Sequence, residues 1–124
     1  MTGYIKPANP FIVPTDDGKK IEEHFGNASY GGENCSVAHM NAPAGWSEPF
    51  QKPEFDEFTI MVSGRKRIEF DDEVVEIGPG ESILVKANTR VRYSNPFDEP
   101  ADYWSVCIPA FNLDTVHRED VDEK

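Results

Sequence analysis

The sequence predicts a single all-β domain, built as a sandwich or a barrel of short strands. Its 124 residues are enough for one hydrophobic core and too few for two domains of ordinary size. Ten prolines and nine glycines divide the chain into short segments in which apolar and polar residues alternate. Eight Phe, four Tyr and two Trp supply large side chains for the core. These features favour strands over helices and exclude a chain that is disordered throughout.

Residues 1–34 are expected to form an N-terminal arm that packs on the barrel. Within the arm, residues 16–25 are predicted to be a short helical or extended segment, because two apolar side chains lie four residues apart near its end. Gly18 lies inside this segment and Gly26 ends it, so any helix is limited to about one turn.

The barrel is predicted over residues 35–112, with its first strands at 35–40 and 55–62. A loop rich in proline and glycine separates these two strands. The second strand is apolar on both faces, which carry Phe58, Ile60 and Val62 on one side and Glu57, Thr59 and Met61 on the other. A strand of this kind needs a cover on both faces, which a second sheet and either a terminal segment or a second copy would supply. We therefore expect a homodimer.

Five further strands are predicted, at 65–70, 74–77, 82–85, 91–94 and 103–108. The first two flank the acidic turn of residues 71–73 and form a hairpin. Gly78, Pro79 and Gly80 form the tight turn that follows. The basic residues Arg65, Lys66 and Arg67 lie beside the hairpin, where cross-strand ion pairs are their expected role.

Acidic residues outnumber basic ones by 23 to 12, which gives a net charge of −11. This charge opposes binding to nucleic acid and to an anionic membrane surface, so neither is expected as a partner. Part of the excess lies in residues 113–124, predicted to be an acidic, solvated C-terminal tail. Cys35 and Cys107 form neither a disulfide framework nor a zinc motif, and the N-terminus carries no export signal or membrane span. A cytoplasmic protein is therefore expected.

Two sets of residues stand at the spacings of the paired motifs of a known family, and the glycines, the Glu and the final Asn agree with the motifs in residue type. The first motif is Gly, five residues, His, one residue, His, three or four residues, Glu, six residues, Gly, and its positions here are Gly45, Gln51, Pro53, Glu57 and Gly64. The second is Gly, five residues, Pro, one residue, Gly, two residues, His, three residues, Asn, and its positions are Gly80, Lys86, Asn88, Val91 and Asn95.

On these motifs the chain resembles the cupin superfamily. The runs PEFDEFTIMVSGRKRI, VRYSNP and YWSVCIPAF are most similar to small single-domain bacterial cupins of the ethanolamine-utilisation cupin group. The resemblance implies a cupin double-stranded β-helix, that is, an RmlC-like jelly-roll barrel. It also implies a ligand at the barrel mouth, next to the loop that carries Glu48 and Gln51.

The histidines that bind the metal in cupins are replaced here by Gln51, Pro53 and Val91. Proline and valine have no ligating side-chain atom, and glutamine is a poor ligand for a transition metal. We therefore expect no cofactor and no standard cupin metal centre. If a divalent metal is bound nonetheless, the candidate ligands are His39, Gln51 and Glu57.

Glu57 is the candidate catalytic residue. By strand parity with Thr59 and Met61, its carboxylate points toward the barrel interior. Such a carboxylate either serves as a general base or a hydrogen-bonding anchor for a ligand, or pairs with a polar neighbour and shapes the core. The candidate ligand-binding residues line the same interior and are Glu48, Gln51, Thr59, Met61, Tyr93, Tyr103 and Cys107.

Three functions remain open at this point. The first is a barrel that binds a small polar organic ligand without the usual metal, for which the two tyrosines and the carboxylate are well suited. The second is an isomerase, epimerase or lyase that uses Glu57 as acid and base. The third is a metal-dependent oxygenase, which requires His39 and Glu57 in one coordination shell.

Overall fold

The part of the chain that the structure, a computed structural model, describes is residues 3–29 and 32–119. Its elements in chain order are β1 (Phe11–Ile12), β2 (Lys20–Phe25), β3 (Ser36–Ala42), β4 (Asp56–Ser63), β5 (Lys66–Glu69), β6 (Val74–Ile77), β7 (Ser82–Val85), β8 (Arg92–Ser94), β9 (Ala101–Ile108) and α1 (Leu113–Val116). None of the described residues belongs to a helix long and apolar enough to span a bilayer.

The strands form two antiparallel sheets. The larger sheet has the order β1-β2-β3-β9-β4-β7, and the smaller one has the order β6-β5-β8. The larger of two clusters of buried side chains among the described residues joins them, with Met61 and Tyr103 from the larger sheet and Ile68 and Tyr93 from the smaller. This arrangement is a double-stranded β-helix, so the prediction of an all-β jelly-roll barrel is confirmed.

Strand β9 lies inside the larger sheet and defines which side chains face the barrel interior. Its residues Tyr103, Ser105 and Cys107 are all buried, whereas the residues between them are partly exposed. Because side chains alternate along a strand, the pairing register assigns the inner face of β4 as well. Met61 lies opposite Tyr103 and Glu57 lies opposite Cys107.

Gly64 and Asn95 show why two motif positions hold these residue types. Gly64 has a φ of +74°, and a Cβ on it would lie 2.3 Å from the carbonyl oxygen of Pro100. Asn95 is fully buried; its side-chain amide donates to the carbonyl of Glu99 at 2.8 Å, and its Oδ1 accepts from the N–H of Phe97 at 3.2 Å. Both residues hold loops at one end of the barrel in place.

Residues 20–25 are extended, and the helical alternative for residues 16–25 is wrong. Strand β2 pairs along β3 from Lys20 opposite Asn41 to Phe25 opposite Val37. Pairing with β3 satisfies most backbone hydrogen bonds of this strand, apart from an irregularity between Glu23 and Phe25. That outweighs a weak helical pattern interrupted by Gly18.

Within the single chain, β4 is covered on its inner face only. Thr59 and Met61 are buried, whereas Ile60 is 48% exposed and Val62 is 52% exposed. The prediction that this strand is buried on both faces is therefore wrong for one chain. The N-terminal strands extend the edge of the larger sheet through β1 and β2 instead of covering its outer face.

The described part of the C-terminal tail, residues 113–119, lies along the loop that precedes β4. The N–H of Glu54 donates to the carbonyl of Thr115 at 2.9 Å, and the N–H of Glu119 donates to the carbonyl of Phe50 at 2.8 Å. The carboxylate of Glu119 accepts from Arg90 at 2.6 Å. This part of the tail is attached to the barrel, and the rest of the predicted solvated tail lies outside the described residues.

Candidate functional site

The polar residues singled out in the sequence lie on the inner faces of two paired strands. The register of β4 and β9 places Glu57 opposite Cys107, Thr59 opposite Ser105 and Met61 opposite Tyr103. Tyr93 of β8 reaches the same interior from the smaller sheet. Strand alternation and cross-strand pairing therefore bring these side chains together.

Glu57 accepts a hydrogen bond from one neighbour and raises the pKa of two others. The hydroxyl of Ser105 donates to Oε2 of Glu57 at 2.7 Å. Burial, followed by the negative charge of Glu57, raises the pKa of Tyr93 well above its ordinary value. The same two causes raise the pKa of the Cys107 thiol. Both groups are therefore neutral at pH 7, and Cys107 is not a thiolate nucleophile.

Two lysine ammonium groups also enter the interior. Lys66, the first residue of β5, is only 2% exposed, and its Nζ lies 3.9 Å from the ring centre of Tyr103 and 4.2 Å from that of Tyr93. Lys19 comes from the N-terminal arm, and its Nζ lies 4.2 Å from the ring centre of Trp46. At these distances the aromatic faces attract both cations.

The charges of the interior compensate one another. Burial lowers the pKa of Lys19, but its attraction to Tyr103, Glu48 and Glu57 outweighs burial and raises that pKa overall. The side chain of Glu48 is 8% exposed. Burial raises the pKa of its carboxyl, although Lys19 and Arg118 act in the opposite direction.

Gln51 and Glu48 both meet Arg118 of the C-terminal segment. Arg118 Nε donates to Oε1 of Gln51 at 3.0 Å, and its Nη2 lies 3.8 Å from a carboxylate oxygen of Glu48. The backbone of Gln51 pairs with that of Val91. The side-chain oxygen of Gln51 thus ties the loop before β4 to the C-terminal segment.

Three hydroxyl groups of the interior form no hydrogen bond of standard geometry within residues 3–29 and 32–119; they belong to Thr59, Tyr93 and Tyr103. The Tyr93 and Tyr103 hydroxyls do interact electrostatically with Glu57 and Lys19, respectively. All three residues are buried. An unpaired buried polar group costs about 1–3 kcal/mol, and native proteins contain few of them. These three hydroxyls, near Glu57, are the groups that a molecule bound inside the barrel would satisfy.

His39 lies on the opposite face of the larger sheet from Glu57. Its Nδ1 is 3.0 Å from Glu22 and its Nε2 is 2.7 Å from Asp102, and its ring stacks on Trp104. His39, Gln51 and Glu57 therefore cannot share a coordination shell. The alternative metal site on which the oxygenase hypothesis depended does not form.

The metal of the cupin motifs does not fit the residues at those positions. Gln51 already accepts a hydrogen bond from Arg118, and the buried Pro53 and Val91 have no donor atom to offer. In the described ranges, no three His, Cys, Asp or Glu side chains are grouped so that they would hold an ion.

Sequence reasoning missed four residues of the site, namely Lys19, Trp46 and Lys66 in the interior and Arg118 at its rim. For Lys66 a signal existed, because parity with the fully buried Ile68 places it on the inner face of β5. The cross-strand ion pair predicted for the basic cluster does form, between Arg67 and Glu76 at 3.0 Å. Lys19 and Arg118 reach the site from terminal segments whose paths no local pattern reveals.

The fold and the site define a double-stranded β-helix with a charged, hydroxyl-rich interior. Residues 38–108, more than half of the chain, match the model of the cupin domain family. The chain belongs to the cupin family.

Known proteins similar to this chain differ widely in length and activity. The endoribonuclease YbeY of Myxococcus xanthus is 46% identical over 108 residues, which are 87% of this chain and 37% of that protein. The chain thus spans little more than a third of that relative. Oxalate decarboxylase from Bacillus subtilis superposes with a TM-score of 0.76 at 15% identity, over 92% of this chain and 31% of that one.

The polyketide cyclase RemF from Streptomyces resistomycificus superposes with a TM-score of 0.74 at 13% identity, over 99% of this chain and 89% of that one. At such low identities, the similarity of both solved structures to this chain concerns the fold alone.

Proposed function

We propose that this cupin binds a small polar organic molecule in its barrel interior, without the standard cupin metal centre. The observation that carries the proposal is the group of three buried hydroxyls near Glu57 that form no hydrogen bond of standard geometry within the described residues. A few convergent polar groups in an otherwise apolar interior are what orients a small ligand. The binding residues in this proposal are Glu48, Gln51, Glu57, Thr59, Met61, Tyr93, Tyr103 and Cys107.

A thermal-shift screen of small organic acids, amines and polyols tests this proposal. A ligand at a hundredfold its Kd stabilises the native state by about 2.7 kcal/mol, which such a screen detects easily. Calorimetry then gives the Kd of each hit. Glu57→Gln is expected to raise that Kd at least about tenfold, because the ligand loses a charged hydrogen-bond acceptor.

Glu76→Gln is the matched control for this experiment. It makes the same chemical change on β6, where Glu76 pairs with Arg67 and is 41% exposed, so the Kd should not change. Hits that bind equally well to wild type, Glu57→Gln and Thr59→Val would contradict the proposal.

An isomerase, epimerase or lyase is the second candidate function on the same residues. It is favoured by the proximity of the Glu57 carboxylate, a candidate base, to the phenol of Tyr93, whose raised pKa keeps it neutral and able to donate a hydrogen bond to a bound substrate. Under this function Glu57→Gln abolishes turnover and changes ligand affinity only a few-fold. Under the binding function the same variant mainly weakens binding.

We also propose that the protein is a homodimer that associates through the outer face of the larger sheet. Ile60, Val62, Leu84 and Ile108 on this face are 42% to 52% exposed, on adjacent strands β7, β4 and β9. A twofold axis would cover the same apolar patch on both copies. Sedimentation velocity should give a dimer for wild type and a monomer for Ile60→Lys.

Val74→Lys is the matched control for the dimer, because Val74 is a 57% exposed valine on the smaller sheet. This variant should remain dimeric, and a monomeric wild type would contradict the proposal.

Neither nucleic acid nor a membrane surface is proposed as a partner, since the net charge is −11. We also propose that the protein is located in the cytoplasm.

A further inference from the structure

We propose that the barrel interior contains a subsite for a small alkylammonium cation, which the side chain of Lys19 occupies in this structure. The inference rests on the proposed function and names the chemical class of its ligand. The subsite, called the ammonium subsite below, is formed by Trp46, Tyr103, Glu48 and Glu57.

The balance of charge shows why this position takes a cation. The interior holds two carboxylates, Glu48 and Glu57, and two lysines. Lys66 belongs to the barrel itself and lies between the rings of Tyr93 and Tyr103. Without the side chain of Lys19, two carboxylates would face one ammonium, and a buried charge without a partner is costly.

Arg118 does not supply the missing charge as effectively. It lies at the rim, where its side chain is 43% exposed and its Nη2 is 3.8 Å from Glu48. An exposed cation at that distance is screened by solvent. A monovalent cation at the position of the Lys19 ammonium balances the interior.

Lys19 reaches this position from outside the barrel. Its ammonium lies 4.2 Å from the ring centre of Trp46 and 5.6 Å from that of Tyr103. Trp46 Nε1 donates to Asp17 at 2.7 Å, and the N–H of Lys19 donates to the same carboxylate at 3.1 Å. Asp17 therefore holds the arm against Trp46, the residue whose ring contacts the ammonium of Lys19. The side chain of Lys19 thus occupies the subsite as a ligand that is covalently attached to the chain.

The chemistry of the subsite selects an organic ammonium ion. Aromatic faces attract cations, and they also pack against the methylene groups of an alkyl chain. The two carboxylates repel an anion and leave a neutral molecule without compensation for their charge. The raised pKa of Lys19 agrees, because the surroundings stabilise its charged form more than burial destabilises it.

Replacement of the missing atoms by a free amine tests the subsite. Lys19→Ala removes three methylenes and the ammonium group, and n-propylammonium contains the same atoms. At ten times its Kd, n-propylammonium is expected to raise the midpoint temperature of Lys19→Ala by roughly 5 °C. At equal concentration and ionic strength, 1-propanol and propionate are expected to raise it by less than about 1 °C.

Two variants serve as controls for this rescue. Lys20→Ala removes a neighbouring lysine that is 65% exposed and pairs with Glu22, so n-propylammonium should have no effect on it. Lys19→Met fills the subsite with an uncharged chain of similar length and should not respond either. An equal response to 1-propanol, or an equal response of Lys20→Ala, overturns the proposal.

If Lys19→Ala does not fold, hydrogen exchange of the wild-type protein tests the subsite instead. An amine that displaces Lys19 should release the arm, and n-propylammonium is then expected to accelerate amide hydrogen exchange of residues 16–20, whereas 1-propanol does not. Faster exchange supports the subsite, and unchanged exchange overturns it.

The ammonium subsite and the proposed function fail separately. Wild-type hits that carry no amino group and are weakened by Glu57→Gln, combined with no rescue of Lys19→Ala, would leave the proposed function in place and overturn the subsite. No hit in the screen and no rescue would overturn both.

Discussion

The hydroxyl of Ser105 and the carboxylate of Glu57 are joined by a 2.7 Å hydrogen bond across the paired strands β9 and β4. Ser105 is 3% exposed, so this bond forms inside the barrel. It holds the carboxylate on the inner face of β4, which also carries the unpartnered hydroxyl of Thr59. The most promising site residue thus depends on a serine that no motif singles out.

Ser105→Ala should lower the free energy of unfolding by about 1–3 kcal/mol, because the partly buried Glu57 carboxylate loses its hydrogen-bond donor. Urea titration measures this loss. Ser82→Ala, at an exposed position of β7, should change stability by less than about 0.5 kcal/mol. Equal losses in the two variants would show that the bond contributes nothing specific.

Lys66→Met should lower the free energy of unfolding by roughly 3 kcal/mol, although methionine retains most of the volume. The variant removes a buried cation from two aromatic rings and leaves Glu48 and Glu57 with less compensation. Lys86→Met, at an exposed position after β7, provides the comparison in the same urea experiment. A stable Lys66→Met would show that desolvation of this lysine costs as much as its contacts contribute.

His39 should titrate above its ordinary pKa of 6.5. Burial lowers the pKa of His39, but the hydrogen bonds to Glu22 and Asp102 outweigh burial and raise it. A pKa raised in the folded state means that protonation of His39 stabilises the fold. This contribution is fully present below the unfolded pKa of about 6.5 and is lost as the pH rises through the folded value.

NMR titration of the His39 ring checks this prediction, and Asp102→Asn should lower the observed pKa. In urea unfolding, the stability difference between wild type and His39→Gln should shrink from pH 6 to pH 9. A His39 pKa at or below 6.5 in the wild type would show that burial prevails.

Gly64→Ala should destabilise the barrel more than Gly80→Ala. Both glycines have a positive φ, +74° and +82°, which costs a residue with a side chain about 1–2 kcal/mol. Only at Gly64 would the new Cβ also collide with the backbone, 2.3 Å from the carbonyl oxygen of Pro100. Urea titration of both variants should show an additional loss of at least about 1 kcal/mol at Gly64, and equal losses would contradict the steric argument.

Most of the fold could be predicted because its signals are local. Alternation and turn residues predict strands at 74–77 and 82–85, and both occur with those bounds. The segment before the barrel could not be decided in the same way. Whether residues 20–25 form a strand depends on β3, with which they pair, and no local pattern reveals that partner.

The candidate site could also be predicted where it depends on local strand alternation. Parity along β4 assigns Glu57, Thr59 and Met61 to one face, and the structure places that face toward the interior. Parity with Ile68 would have placed Lys66 there too, but a run of three basic residues suggested a surface role.

By itself, the sequence determined an all-β barrel, the common face of Glu57 and Thr59, and the replacement of the cupin metal ligands. Strand alternation and side-chain chemistry are properties of neighbouring residues, so these conclusions need no partner segment. Only the tertiary structure decided that Lys19 reaches the interior, that Arg118 lies at its rim and that His39 faces away from it. Those positions depend on the packing of segments far apart in the chain, and that packing results from the burial and pairing of the whole molecule.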